Sequence, residues 1–393
     1  MTATPSGKDL VTLTAFLATP VRRNPFCLPA RATVYGPIAW AHPLAPNLGC
    51  TRSLLKRFAN VGNLDEPLTK SEYENRQKRL PAQLFAHNTQ TRFAQNGDAR
   101  TSTRVDGVLG RMLDGLSAAG ASIGSYSISG TSPTVLEPVE SIPFDVLRYS
   151  GVTRIDSTHA ALLEPYLKEM TGLASASPFA NTWSSLVGEA LNRTAQLADA
   201  LDNVTLAQTF AGTSGNNLAL QLEQVAKLIR ANQQQFHNER EAYYVTIGGF
   251  DNHANVIDAM ELLLDQVDAA LGSFEAEMKL QGLWDNVLVV ESSEFARTIT
   301  SNGDGSDHAW GGNYFLAGGA VRGGQILGQF PEDLGEEGEF NLGRGRLLPT
   351  TSWEHVWSAV AEWFGVPESS MDAVLPRRGN FPGLYSAADV FSS

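Results

Sequence analysis

Apolar residues recur along this chain with two different periods, and the change of period marks its elements. Tyr243–Ile247, Val287–Val290 and Tyr314–Ala317 are short, continuous runs rich in β-branched and aromatic residues, which predict buried strands. Ser122–Ile128 predicts a further strand, and Leu10–Leu17 reads equally as a short strand or a helix. Spacings of three and four residues predict helices over Val105–Ala118, Thr182–Leu201, Leu218–Phe236, Asn255–Leu280 and Ser352–Phe364. Leu262, Leu263, Val267, Ala270, Leu271 and Phe274 form the predicted buried stripe of the helix beginning at Asn255. In the C-terminal helix Ser352 is the predicted cap, with Glu354, His355 and Glu362 outside. A strand, a long helix and a second strand in succession favour a parallel sheet, whose chemistry gathers beyond the C-terminal strand ends.

Composition narrows the classes of partner. The chain has 393 residues, 42% hydrophobic and 18% charged, as expected of a globular protein. Its formal net charge of -13 argues against a nucleic-acid backbone or an anionic membrane as partner. No apolar run approaches the ~18–20 residues of a membrane-spanning helix, so membrane insertion is not expected. Arg22-Arg23 is a twin arginine, but Asn24-Pro25-Phe26-Cys27-Leu28-Pro29 follows without the apolar core of an export signal. Cys27 and Cys50 are too few for a disulfide framework or a zinc ribbon.

The candidate chemistry lies where the strand runs end. Gly248-Gly249 breaks the first run, and Asp251 and His253 follow two residues apart, able to face one ion. Glu294 stands just past the second run, and Asp307-His308 precedes the third. Carboxylates and imidazoles in one set suit zinc, manganese or iron, or magnesium and calcium where oxygen dominates. Such residues also serve as ordinary loop caps and surface hydrogen-bond partners. Thr69 precedes Lys70-Ser71-Glu72 and so reads as a helix cap with Glu72 in the capping-box position, at a helix start whose unpaired amides suit an anion. Residues 318–328 are glycine-rich but lack the dinucleotide fingerprint, and read as a hairpin or tight loop.

Four blocks in order, Gly248-Gly249-Phe250-Asp251-Asn252-His253, Ser293-Glu294-Phe295-Ala296-Arg297-Thr298, Asp307-His308-Ala309-Trp310-Gly311 and Gly318-Gly319-Ala320-Val321-Arg322-Gly323-Gly324, resemble the signature of the bacterial domain of unknown function 1501 family. A second region, Asn60–Leu64, Pro67–Lys70 and Leu80–Gln90, is also similar, so the resemblance runs from about residue 59 to the C-terminus. That family resembles the alkaline phosphatase and sulfatase superfamily. The resemblance implies a three-layer α/β/α sandwich with a mostly parallel central sheet, spanning residues 59–393 after a divergent or truncated segment 1–58. The strand and Asp with which such domains begin are not identified in residues 1–58, where His42-Pro43 is a weak echo. The chain also departs from the family pattern at Ala86, Thr89, Ala296 and Tyr314, the last standing where the family has His.

The resemblance implies a metal-dependent hydrolase of phosphate or sulfate esters, exported to the periplasm or beyond, acting on an anionic small molecule or polymer. Asp251, His253, Glu294, Asp307 and His308 would hold a divalent ion: zinc, manganese, iron, calcium or magnesium. Thr69 would be the nucleophile, Arg297 would bind the anion or else pair with a carboxylate, and His87 is a further catalytic candidate. The alternative is a non-catalytic relative that keeps the fold for binding or assembly with an incomplete site.

Overall fold

The apolar runs become strands of one sheet in a computed structural model that describes residues 10–18, 55–101, 105–140, 144–152, 157–172, 175–210 and 215–392. Among these residues the strands are β1 (Leu10–Ala18), β2 (Leu55–Gly62), β3 (Ile123–Ser127), β4 (Asp145–Val146), β5 (Arg240–Gly248), β6 (Val287–Ser292), β7 (Ala296–Arg297), β8 (His308–Ala309), β9 (Gly312–Ala317), β10 (Gln325–Leu327) and β11 (Thr351–Ser352). The helices are α1 (Lys70–Glu74), α2 (His87–Asn96), α3 (Val108–Ala118), α4 (Ser157–Gly172), α5 (Pro178–Asp202), α6 (Asn217–Ala231), α7 (Val256–Leu280), α8 (Trp353–Phe364), α9 (Met371–Val374) and α10 (Ala387–Val390). None of the described helices is long and apolar enough to cross a membrane.

Nine strands form a mixed sheet in the order β10-β2-β9-β6-β1-β5-β3-β4, with β11 also beside β2; β7 and β8 pair separately. β1 and β9 run against the rest. The N-terminal segment that reads equally as strand or helix is a strand. Leu10–Ala18 lies between β5 and β6, antiparallel to both, and carries no carboxylate. Its register sets Leu10 against Gly248 and Thr12 against Ser292, so β5 and β6 end at the same edge of the sheet. Everything that follows those two ends is thereby brought together. Cys27, Cys50, Arg22-Arg23 and His42-Pro43 lie outside the described residues.

The core explains why these segments take these forms. β6 is buried along its whole length, which is why it reads as an unbroken apolar run rather than an alternation. α6 and α7 pack on each other, and α6 lies on β5, through Leu222, Val225, Ile229, Val267, Ala270, Leu271 and Phe274. The stripe of α7 differs at one point from the pattern reading: Leu262 is exposed, and Leu264 is buried. α8 buries Trp353, Trp357 and Phe364. Its Glu354, expected outside, is buried as well, and burial, with Asp98 and Asp65 near, pushes its carboxyl up to about 8. The glycine-rich stretch is a crossing loop and not a hairpin, because β10 pairs in parallel with β2 rather than with β9. A smaller cluster of Leu64, Trp310, Leu348 and Phe381, with Leu84 and Phe85 packed against it, supports the loop that leads into α2.

Candidate metal centre

Local chemistry at the end of β5 starts the site. Gly249 adopts φ +99, a left-handed conformation that a side chain would strain, and the chain turns there into Asp251 and His253. The loop 301–306 lies against this turn. Ser306 donates its backbone N–H to the Asn252 carbonyl, and a Cβ on Gly305 would stand 2.4 Å from the His253 carbonyl carbon. Asp307 and His308 follow that loop, and β8 pairs with β7 so that Arg297 stands opposite His308. Two residues past β6, Glu294 is buried at the same edge. His87 enters from the first turn of α2.

Donor atoms of His87, Asp251 and His308 lie within 4.8 Å of one another and could hold a metal ion. His308 Nε2 is 2.9 Å from Asp251 Oδ1, and His87 Nε2 is 3.5 Å from Asp251 Oδ2. His253 joins from the solvent side, its Nε2 2.8 Å from Asp251 Oδ1 and 3.1 Å from His308 Nε2. Two imidazole nitrogens bound at ~2.1 Å to one tetrahedral ion would sit ~3.4 Å apart, close to this spacing.

The far nitrogens of the three rings are all engaged by oxygen. His308 Nδ1 is 2.7 Å from the Phe85 carbonyl, an acceptor only, so this nitrogen carries the proton. His87 Nδ1 lies 2.8 Å from Glu294 Oε1, and Ser293 donates to the other oxygen of that carboxylate. His253 Nδ1 lies 3.3 Å from Asp307 Oδ1. Carboxylates and carbonyls in these positions fix the tautomer and turn Nε2 towards Asp251. Phe295 packs against His87 and His308, with ring centroids 4.7 and 4.4 Å away.

Seven of the eight candidates singled out from the sequence thus converge, but in different positions around the group. Asp251 and His308 belong to the group that could hold an ion, with His253 beside them. His87, read from the sequence as a catalytic candidate, stands among the donors. Glu294 and Asp307 sit behind imidazoles rather than within the group of three. Arg297 pairs with Asp251 through Nη1, while Nε donates to Ser306 Oγ at 3.2 Å and Nη2 to the Ser306 carbonyl. Burial opposes the charge on Asp251, but Arg297 bonded to it and His308 beside it hold its carboxyl below the ordinary carboxylate value.

Two other positions stand apart. Thr69 caps α1, its hydroxyl accepting from the Glu72 amide at 3.2 Å and donating to the Glu72 carboxylate at 2.9 Å, a full capping box on an exposed helix. Tyr314 is buried against Trp353, and burial, reinforced by Glu291 and Glu294, drives its phenol far above its usual range, so it stays neutral. A neutral phenol is a poor metal ligand.

Sequence reasoning did not single out Arg344 and Arg346, which approach Asp307 and His308 from the loop before β11. The signal was a Gly343-Arg344-Gly345 turn, legible as a tight bend but silent about its target.

The comparisons agree with the order of these blocks. Residues 42–341 match the family described as "Protein of unknown function (DUF1501)". No curated protein and no solved structure matches the chain. With most of its length covered by that match, including His87, Asp251 and His308, the chain belongs to the DUF1501 family.

Proposed function

We propose that this protein is a metal-dependent hydrolase of phosphate or sulfate esters. The observation that carries the reading is the convergence of lone pairs on one point. With Nδ1 committed as a donor to Phe85, His308 turns the lone pair of Nε2 to an Asp251 oxygen 2.9 Å away. Acceptor facing acceptor is repulsive, so a cation belongs there, whether a proton or a metal. His87 adds a second nitrogen already backed by Glu294. Two imidazoles and one carboxylate suit zinc, manganese or iron better than the oxygen-seeking magnesium or calcium. A bound divalent ion would polarise an ester oxygen and lower the pKa of water.

The chain's own residues supply the rest. Glu294, Phe85 and Asp307 orient the three rings, Arg297 holds Asp251, and Phe295 walls the group on one side. Because the Thr69 hydroxyl is engaged in its cap, water is favoured over Thr69 as the nucleophile. β5 and β6 end together at the site, the placement expected of an alkaline-phosphatase-like α/β/α sandwich, and that superfamily likeness belongs to the same proposal. So does an exported location, with an anionic ester as substrate.

The test is metal content of the purified protein by plasma mass spectrometry, with His87→Ala and His308→Ala beside it. Near-stoichiometric zinc, manganese or iron that falls in both variants supports the reading and justifies a screen of phosphate and sulfate esters. A chain that retains no ion after incubation with each metal sinks it.

A further inference from the structure

An ester anion approaching this centre meets the carboxylates of Asp251 and Asp307 on a chain of net charge -13. Such a field repels it unless a cation stands at the entrance. Three arginines are near. Arg297 spends Nε, Nη1 and Nη2 on Ser306 and Asp251. Arg346 lies over the Phe85 ring, 4.6 Å from its centroid, and donates Nε to the His308 carbonyl. Arg344 differs. Its side chain is 66% exposed, and among the described residues Asp307 is the partner of its guanidinium, through Nη2 alone.

The backbone beneath Arg344 is built to aim it. Gly343, Arg344 and Gly345 are all left-handed, with φ of +86, +59 and +71. That conformation is costly for an arginine and persists only where the surroundings enforce it. They do so here. The Arg344 amide donates to Glu336 Oε2 at 3.1 Å, the Gly345 carbonyl accepts from the Ile299 amide at 3.0 Å, and a Cβ on Gly345 would fall 2.4 Å from the Thr300 nitrogen. The turn is therefore locked onto the strand–loop segment that carries Arg297 and Asp307.

We propose that Arg344 is the residue that receives the substrate's oxyanion, taking a tetrahedral phosphate- or sulfate-type group on the guanidinium N–H groups that Asp307 leaves free. The proposal rests on the hydrolase reading above and names its anion-recognising side chain. A guanidinium presents a planar fork matched to two oxygens of such an anion, which a lysine cannot reproduce.

Isothermal titration of the full chain, loaded with the metal it retains, with inorganic phosphate and separately with sulfate tests this. Wild type is expected to bind at least one of them. Arg344→Gln is expected to weaken that binding by about tenfold or more, and Arg344→Lys by less, with metal content and melting temperature unchanged. Wild type that binds neither anion, or Arg344→Gln that binds within about twofold of wild type, overturns the proposal. Retained metal with unaltered anion binding in Arg344→Gln removes only the role of Arg344. A chain that holds no metal instead removes the hydrolase reading. Preference between phosphate and sulfate in wild type tells the two ester classes apart.

Discussion

Glu294→Ala isolates what the carboxylate behind His87 contributes. In the folded chain Glu294 is buried and its Oε1 lies 2.8 Å from His87 Nδ1, with Ser293 fixing the other oxygen. Removing it takes the carboxylate acceptor from the outer nitrogen of the ring and weakens the hold on its orientation and tautomer. Outer carboxylates of this kind are worth about 10–100-fold in metal affinity. That is ~1.4–2.7 kcal/mol of binding free energy. Glu294→Gln separates two contributions, since an amide oxygen still accepts from Nδ1 but carries no charge; about half of the loss is expected. The assay is competition of the bound ion against a chromophoric chelator of known affinity, at fixed pH, with His87→Ala setting the limit for complete loss of that donor. A dissociation constant for Glu294→Ala within twofold of wild type would refute the orienting role. So would a Gln variant as impaired as His87→Ala, because the amide keeps the hydrogen bond.

Other expectations follow from the same geometry. Thr69→Ala should cost roughly 0.5–1 kcal/mol in a denaturant melt and leave metal content intact; loss of ester hydrolysis in a stably folded variant would instead make the hydroxyl a reacting group. Glu241, buried beside Tyr243, Asn238 and Tyr126, has its carboxyl pushed up to about 7 by burial. The unfolded chain releases that proton near pH ~4.3. Between the two values the unfolded state binds fewer protons, so stability falls as pH rises through that window, by up to ~4 kcal/mol from this group. Glu241→Gln should flatten that part of the pH–stability curve, leaving the same-signed contributions of Asp268, pushed up to about 6, and Glu354, pushed up to about 8; an unchanged curve refutes the assignment. Gly345→Ala should destabilise the chain by ~1–2 kcal/mol, because an added Cβ meets the Thr300 backbone, while a melt unchanged from wild type would show that the turn relaxes.

How much of this was legible beforehand depended on how local the cause was. Runs of buried β-branched, aromatic and other apolar residues marked β5, β6 and β9 because a strand covered on both faces has no polar alternation to confuse the reading. The cap at Thr69 was legible because both partners lie within four residues. Asp251, Glu294 and His308 could be placed in one neighbourhood from the strand ends alone. Their division of labour could not, since whether a carboxylate faces an ion or a ring is settled by a rotamer and by a partner more than two hundred residues away, as with Glu294 and His87. The position of β1 was hidden for the same reason. A nine-residue apolar strand says nothing about which neighbours it will choose. Leu262 was read into the stripe and Leu264 left out of it, because the run Leu262–Leu264 spans about 200° of the helix surface and its apolar character alone does not say which side packs.

The placement of β1 has a consequence for the order of assembly. The strands whose ends carry the centre are not hydrogen-bonded to each other; β1 separates them, and its partners emerge only after more than half of the chain has been made. Residues 10–18 are synthesised long before β5 and β6 and cannot pair with them until those strands are made. In that interval an apolar strand with two open edges waits without its neighbours, the kind of segment that invites pairing with other chains. Closure of the sheet is thus a long-range, slow event. The geometry at Asp251 and Glu294 is completed only when it happens, which makes acquisition of the centre a late checkpoint on the folding of the whole molecule.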